Sequence, residues 1–214
     1  VLKVAVLISG RGSNLQALIK ACAEPHFPAQ IVCVVSNQAD AKGVDHARAA
    51  QIPFYVLSHR EYAQRQDFEE ALDATLEKQG VQLVCLAGFM RLLTPWFIER
   101  WLDRLVNIHP SLLPAFPGLN THQKVLDYGA KLTGCTVHFV RTEMDHGPLI
   151  LQAAVPVFAN DTEDTLAARV LKAEHKAYPE ALRLIAENRV NVFEERTFIT
   201  DAVASSDKLS NPKS

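Results

Sequence analysis

The stretch KVAVLISGRGSNLQ, Lys3 to Gln16, decides how the rest of the chain is read. Val4 to Ile8 is an unbroken apolar run, far too short to cross a membrane and of the length of a strand buried on both faces. Ser9 and Gly10 close it, and an amphipathic helix is predicted from about Asn14 to Ala23. A strand that runs through glycines into a helix is the first half of a βαβ unit.

The same alternation continues along the chain. Strands are predicted at Ile31–Asn37, Pro53–Ser58, Leu83–Gly88 and Arg104–Ile108. Helices are predicted at Gly43–Ala50 and at Asp67–Lys78, where Phe68, Leu72 and Leu76 mark the apolar face. Near-continuous apolar strands separated by helices imply an α/β fold, a mostly parallel Rossmann-like sheet with helices on both faces. After Gly134 the pattern changes to two longer strands, GCTVHFV and LILQAAVPVF, joined by the turn MDHGP. A long helix is predicted from about Thr162 to Glu187, with Asp161 as its cap and Asp164 strengthening its start. The expected organisation is one domain over residues 1–200 and a flexible C-terminal tail over 201–214, whose polar sequence has no apolar period.

Composition narrows the function. The chain has 214 residues, 48% of them hydrophobic and 21% charged, as expected of a globular protein with a sizeable core. A formal net charge of -2 argues against nucleic acid or an anionic membrane as the main partner. Cys22, Cys33, Cys85 and Cys135 are scattered through apolar runs and read as core residues in a reducing cytoplasm. The dispersed histidines form no H-E-x-x-H or paired C-x-x-C pattern, so no metal site is expected. A serine hydrolase lacks its G-x-S-x-G elbow. The chain opens at Val1 rather than methionine, which is compatible with an upstream segment having been removed.

The loop SGRGSN opens the first helix, where glycines let backbone N–H groups approach an anion. The third glycine of a dinucleotide fingerprint is missing, with Leu15 in its place. The second strand ends in Ser-Asn, with no acid for a ribose diol. That pattern favours a mononucleotide or sugar phosphate over NAD. The stretch LVNIHP ends a parallel strand with Asn107 and His109 on one face and Ile108 on the other. An amide can steady a developing oxyanion and an imidazole can carry a proton; the same pair can also serve only to satisfy loop backbone. Asp145 suits the turn MDHGP for backbone reasons, yet a carboxylate facing an imidazole favours its protonated form and fixes its orientation. His138 either lines the same pocket or is a hydrogen-bonded core histidine. Glu174 shares a helical stripe with Val170, Leu171, Ala177 and Tyr178, so it points inward and needs either a protein cation or a ligand's donors. The flat apolar stretch LAGFMRLL leaves the fourth strand at the same sheet edge, as a heterocycle site or as a buried crossover.

These pieces resemble, in order and spacing, the phosphoribosylglycinamide formyltransferases of purine synthesis. VAVLISGRGSNLQALI, VSNQADAKG, VCLAGFMRLL, LVNIHPSLLPAFPGLNTHQ, GCTVHFV, MDHGPLILQAAVPV and AEHKAYP carry the resemblance, which spans about Val1 to Phe193. The resemblance implies small-molecule substrates, glycinamide ribonucleotide and the formyl donor 10-formyltetrahydrofolate, with no metal. It implies Asn107, His109 and Asp145 as the catalytic trio. Gly12, Ser13 and Asn14 would hold the ribonucleotide phosphate, and Glu174 its ribose or glycinamide end. Arg65, Met90, Arg91, Leu92, Leu93 and Asn107 would hold the folate, with Val140, Arg141 and the loop to Asp145 over the pterin. Arg11 stands where the family usually has a small or polar residue, so it either aids phosphate binding or faces solvent.

Two relatives share the trio. Formyltetrahydrofolate deformylase passes the formyl group to water and normally carries a regulatory module ahead of the first strand, which here begins at Lys3. Methionyl-tRNA formyltransferase would need a further basic domain. A third reading is a non-catalytic nucleotide-binding module using the GRGSN loop alone; it leaves Asn107, His109 and Glu174 unexplained. Either a monomer or a homodimer is compatible with the sequence.

Overall fold

A computed structural model describes residues 1–203 and 209–212. Strand β1 (Leu2–Ile8) and helix α1 (Ser13–Cys22) are followed by β2 (Ala29–Ser36), α2 (Gly43–Ala49), β3 (Phe54–Val56) and α3 (Arg65–Lys78). Then come β4 (Leu83–Leu86), α4 (Pro95–Arg100), β5 (Leu105–His109), α5 (Thr121–Tyr128), β6 (Leu132–Phe139) and β7 (Leu149–Pro156). Helix α6 (Glu163–Ala186) and the hairpin β8 (Val190–Phe193) and β9 (Arg196–Ile199) complete the fold. Seven strands form one sheet in the order β3-β2-β1-β4-β5-β6-β7. The first five run parallel, and β6 and β7 are antiparallel to their neighbours. This is the mostly parallel α/β architecture with an antiparallel C-terminal part that the alternation predicted.

Alternation along β1 builds two cores. Val4, Val6 and Ile8 face a cluster shared with Leu15 and Leu18 of α1 and Val170 and Tyr178 of α6. Ala5 and Leu7 face the opposite cluster, with Phe68, Leu72 and Leu76 of α3 and Phe97 of α4. All five strand residues are fully buried, which is why β1 reads as a continuous apolar run. Strand β1 lies between β2 and β4, so the chain turns to opposite sides of the sheet there. Ligands of open α/β sheets bind outside the carboxyl ends of the strands at such a switch point. Tyr178 joins α6 to that edge: its buried hydroxyl lies 2.9 Å from the Leu86 carbonyl oxygen and 3.1 Å from that of Val106.

The start of α6 corrects one expectation. Its cap is Thr162, not Asp161, and Thr162 and Thr165 satisfy each other's backbone N–H in a reciprocal box. Thr165 rather than Asp164 therefore occupies the third helical position. Asp161 is spent elsewhere: it accepts two bonds of 2.7 Å from Arg169 and one of 2.7 Å from the Phe158 N–H. Those bonds hold its carboxyl well below the usual range, the Arg169 contact contributing most.

All four cysteines are free, and burial pushes the thiols of Cys33, Cys85 and Cys135 up to about 12, which keeps them inert core residues. Of the tail, residues 204–208 and 213–214 lie outside the described residues. Asn211 donates to the carbonyls of Lys131 and Val157 at 2.9 and 2.7 Å.

Candidate active site

Three segments leave the switch point together. The loop after β1 folds back on α2: the Gly43 N–H donates to the Gly10 carbonyl at 2.9 Å. Gly12 sits at φ 71°, and a Cβ there would stand 2.7 Å from the Gly43 Cα, so only glycine fits. Gly12 caps α1 without a side-chain bond, which leaves the first-turn N–H groups of Ser13 and Asn14 facing outward as an anion-favouring end. Arg11 is exposed.

Asn14 and Glu174 face each other from α1 and α6, with the Asn14 amide donating to the Glu174 carboxylate at 2.7 Å. Both are at least nine-tenths buried. Among the described residues no cation pairs with Glu174; burial raises its carboxyl above the ordinary value, and the Asn14 bond opposes this only in part. The Asn14 Oδ1 is buried without a partner. This wall of the site therefore presents acceptors, suited to hydroxyl or amine donors.

Asn107 and His109 close β5, where their cross-strand neighbours on β6 are His138 and Thr136. His109 Nε2 lies 2.9 Å from the Phe116 carbonyl oxygen, and Nδ1 lies 3.3 Å from Asp145 Oδ1. A carbonyl only accepts, so this hydrogen bond puts a proton on Nε2 and leaves Nδ1 as the nitrogen that faces Asp145. The second oxygen of Asp145 accepts from the Gly118 N–H at 2.6 Å. His138 is buried and settles the Asn107 amide by the same logic. Its Nδ1 must donate to the Phe139 carbonyl at 3.0 Å. Burial lowers its affinity for a second proton, which leaves Nε2 to accept from Asn107 Nδ2 at 3.4 Å. His138 thus satisfies both sequence readings at once, as a hydrogen-bonded core residue and as a neighbour of the trio.

The loop between β6 and β7 carries Asp145 at φ 52°, a left-handed position that aspartate tolerates. Gly147 at φ 130° presses against the Phe139 carbonyl, where any Cβ would clash. The turn requirement and the approach to His109 are met by the same residue.

Asn14, Met90, Asn107, His109, Asp145 and Glu174 line one cavity of about 460 Å³. A neighbouring slot of about 150 Å³ is lined by Arg91, Leu92, Leu93, Val140 and Arg141, and shares Phe89, Asn107, Met144 and Asp145 with the first. The Ser9 hydroxyl holds the loop between them, accepting from the Met90 N–H at 2.8 Å and donating to Asn37 at 2.6 Å. Arg141 is tied to Asp103 and Glu195 at 2.7 and 2.6 Å, which anchors the Asp145 loop at its base. Ser13 faces a wider groove of about 580 Å³ between α1 and α6, which holds none of the trio. Arg65 stands exposed at the start of α3 and lines neither cavity.

The sequence reading passed over several cavity residues. Gly118, Asn120, His122 and Glu163 line the larger one. Burial lowers the His122 pKa, and its Nδ1 is unpartnered. The THQ step at the start of α5 is the local signal for His122. Among the described residues, no group of three or more His, Cys, Asp or Glu is placed to hold a metal, and no helix is long and apolar enough to cross a membrane.

The chain is similar to known proteins in sequence and in fold. Residues 2–182 match the family model described as formyl transferase. The phosphoribosylglycinamide formyltransferase of Escherichia coli (strain K12) is 43% identical over 198 residues, 92% of this chain and 93% of that one. The trifunctional purine biosynthetic protein adenosine-3 of Gallus gallus is 52% identical over 192 residues, 90% of this chain, but the match spans about a fifth (19%) of that protein's length. The crystal structure of glycinamide ribonucleotide transformylase 1 from Symbiobacterium toebii superposes with a TM-score of 0.91 at 46% identity, covering 94% of each chain.

Proposed function

The chain belongs to the formyl transferase family, and on that premise we propose that it moves the formyl group of 10-formyltetrahydrofolate to the amine of glycinamide ribonucleotide in de novo purine biosynthesis. The observation that carries the reading is the convergence of Asn107, His109 and Asp145 on one cavity whose opposite wall is Asn14 and Glu174. The free cysteines suit a reducing cytoplasm.

Each substrate has a matching surface. The N-terminus of α1 at Gly12, Ser13 and Asn14 takes the ribonucleotide phosphate. The acceptor pair Asn14 Oδ1 and Glu174 takes ribose hydroxyls or the glycinamide end. The apolar slot of Phe89, Leu92, Leu93 and Val140 takes the pterin ring edge-on, with Met90, Arg91, Arg141 and the exposed Arg65 left for the remainder of the folate.

The reaction needs no covalent enzyme intermediate. The glycinamide amine forms a bond to the formyl carbon, and the carbonyl electron pair moves onto oxygen. Asn107 Nδ2–H and a proton on His109 Nδ1 stabilise that oxyanion, donors of a kind worth ~10²–10³ in turnover. Collapse restores the carbonyl and breaks the carbon–N10 bond. The proton lost by the amine passes to N10, with Asp145 and the ring, directly or through water, as carriers.

The test mixes protein, 10-formyl-folate and glycinamide ribonucleotide, and follows the deformylated folate by absorbance with each component omitted in turn. Formyl transfer predicts signal only with both present. Equal signal without the nucleotide would identify a deformylase, and nucleotide binding with no signal in any mixture would leave a binding module.

A further inference from the structure

We propose that Gln152 is a positioning residue for His109: from the edge strand β7 its carboxamide clamps the loop after β5, and that loop's Phe116 carbonyl fixes which ring nitrogen bears the permanent proton. The proposal rests on the transferase reading for its kinetic consequence only. The hydrogen bonds from loop residues 110–118 to the trio come from backbone groups, the Phe116 carbonyl on His109 Nε2 and the Gly118 N–H on Asp145. Neither contact has a side chain to steer it, so the loop itself must be held.

Its anchor is a set of hydrogen bonds between β6, β7 and the loop, two of them from Gln152, which stands exposed at the sheet edge. Thr136, fully buried, donates its hydroxyl proton to the Ser111 carbonyl at 2.7 Å. Having given that proton, it accepts from the Leu113 N–H at 3.0 Å and from Gln152 Nε2 at 2.9 Å. Gln152 Nε2 also donates to the Leu113 carbonyl at 2.9 Å, so both backbone groups of Leu113 are engaged. Ser111, equally buried, donates to the Ala115 carbonyl at 2.6 Å, one residue before Phe116. The carbonyl acceptors leave no freedom in these assignments: the amide must present its NH₂ end to Leu113, and the hydroxyl has no other proton to give. Gln152 is the direct cross-strand partner of Thr136. Its amide is the one member of the set that enters from the sheet edge.

Release of the clamp has a defined effect on the ring. With the Phe116 carbonyl displaced, a neutral imidazole is better satisfied by placing its single proton on Nδ1, toward the Asp145 carboxylate. Nε2 is then bare, so any second proton on the ring enters there, away from the reacting carbon, and the Nδ1 site beside Asp145 no longer takes up and returns the proton of the reaction.

The test is the ring tautomer in [15N]histidine-labelled protein, recorded in alkaline buffer where an imidazole is neutral, with the His109 signals identified by their loss in His109→Gln. The native chain should show a proton on Nε2. Gln152→Met, which keeps the length but loses both donors, should move it to Nδ1; Gln152→Lys, which keeps donors, should restore Nε2. Thr136→Val should repeat the Gln152→Met result, and Thr136→Ser should not. In the transfer assay Gln152→Met should lower kcat roughly 10–100-fold, as loss of an outer hydrogen-bonding partner does, with KM for both substrates little changed. An Nε2 proton retained in both Gln152→Met and Thr136→Val overturns the proposal, whatever the kinetics. The ring measurement uses no substrate, so it decides the clamp even if formyl transfer itself is not found.

Discussion

Asn14 donates to Glu174 across 160 residues of chain, joining the first helix to the last at 2.7 Å. The bond only partly compensates a carboxylate sunk in the protein, and that burial has a measurable cost. Burial raises the Glu174 carboxyl above its ordinary 4.5, so the folded chain binds that proton more tightly than the unfolded chain. Its contribution to stability is complete below that value and is lost as pH rises through the raised one. Glu174→Gln should therefore match the native chain in acid and exceed it in urea resistance as pH climbs toward neutrality. Nucleotide affinity should fall roughly tenfold or more, the worth of a hydrogen bond to a charged acceptor. Stability curves for the two proteins that stay parallel from acid to neutral pH would rule out a strained carboxylate.

Asn107→Ala and His109→Ala should each reduce kcat by ~10²–10³ with small effects on folding, if both stabilise one oxygen. Groups acting as a unit are not additive, so the double variant should be far less impaired than the product of the two single losses. Steady-state kinetics on the four proteins decide it. Full additivity would place the two side chains on different steps.

His138 never needs to touch substrate in this arrangement. On the proposed reading it accepts from Asn107 Nδ2 and so keeps the amide's NH₂ end directed at the site. His138→Phe should lower kcat roughly tenfold while leaving the KM for nucleotide unchanged. A variant in which nucleotide affinity, rather than turnover, is lost would place His138 in binding.

The parts of this protein that were legible in its sequence are those where burial writes a pattern. β1, β4 and β5 are covered on both faces and read directly as apolar runs, and the α6 stripe exposed Glu174 as the misfit. The grouping of Asn107 with His109 followed from period-two alternation. What stayed hidden has physical causes. Helix α4, of 6 residues, is too short to show a period. Hairpin β8–β9 turns on Glu194 and Glu195, at φ 49° and 57°, where Asn-Gly would normally give the signal. The cap of α6 moved one residue because Asp161 is taken by Arg169. Asp145 and His109 come together through a loop between antiparallel strands, and no local pattern encodes a distance between distant segments. Gly12 suits an anion site, yet its contact with Gly43 already demands glycine.

Asp145→Asn should keep the turn, since asparagine also tolerates the left-handed conformation, but remove the charge beside Nδ1. Turnover should drop by roughly tenfold or more, with thermal stability nearly unchanged. A loss of turnover that tracked a loss of folded protein would assign Asp145 to structure.

Two glycines separate loop placement from sheet integrity. Gly147 lies against the Phe139 carbonyl in the loop that carries Asp145, and Gly134 lies against the Ala153 carbonyl between β6 and β7; a Cβ clashes in both places. An alanine at 147 also has to adopt φ 130°, a region closed to L side chains, so the loop should shift rather than the sheet. Gly147→Ala should therefore lower kcat strongly, by displacing Asp145 from His109, at a modest cost in stability. Gly134→Ala has no mobile loop to absorb the clash, because its neighbours are paired backbone, and should destabilise the fold by about 1–3 kcal/mol. Turnover per folded molecule should remain nearer native in Gly134→Ala. Urea titration beside kcat on both variants makes the comparison, and the reverse ranking would mean that the Asp145 loop is held elsewhere than at Gly147.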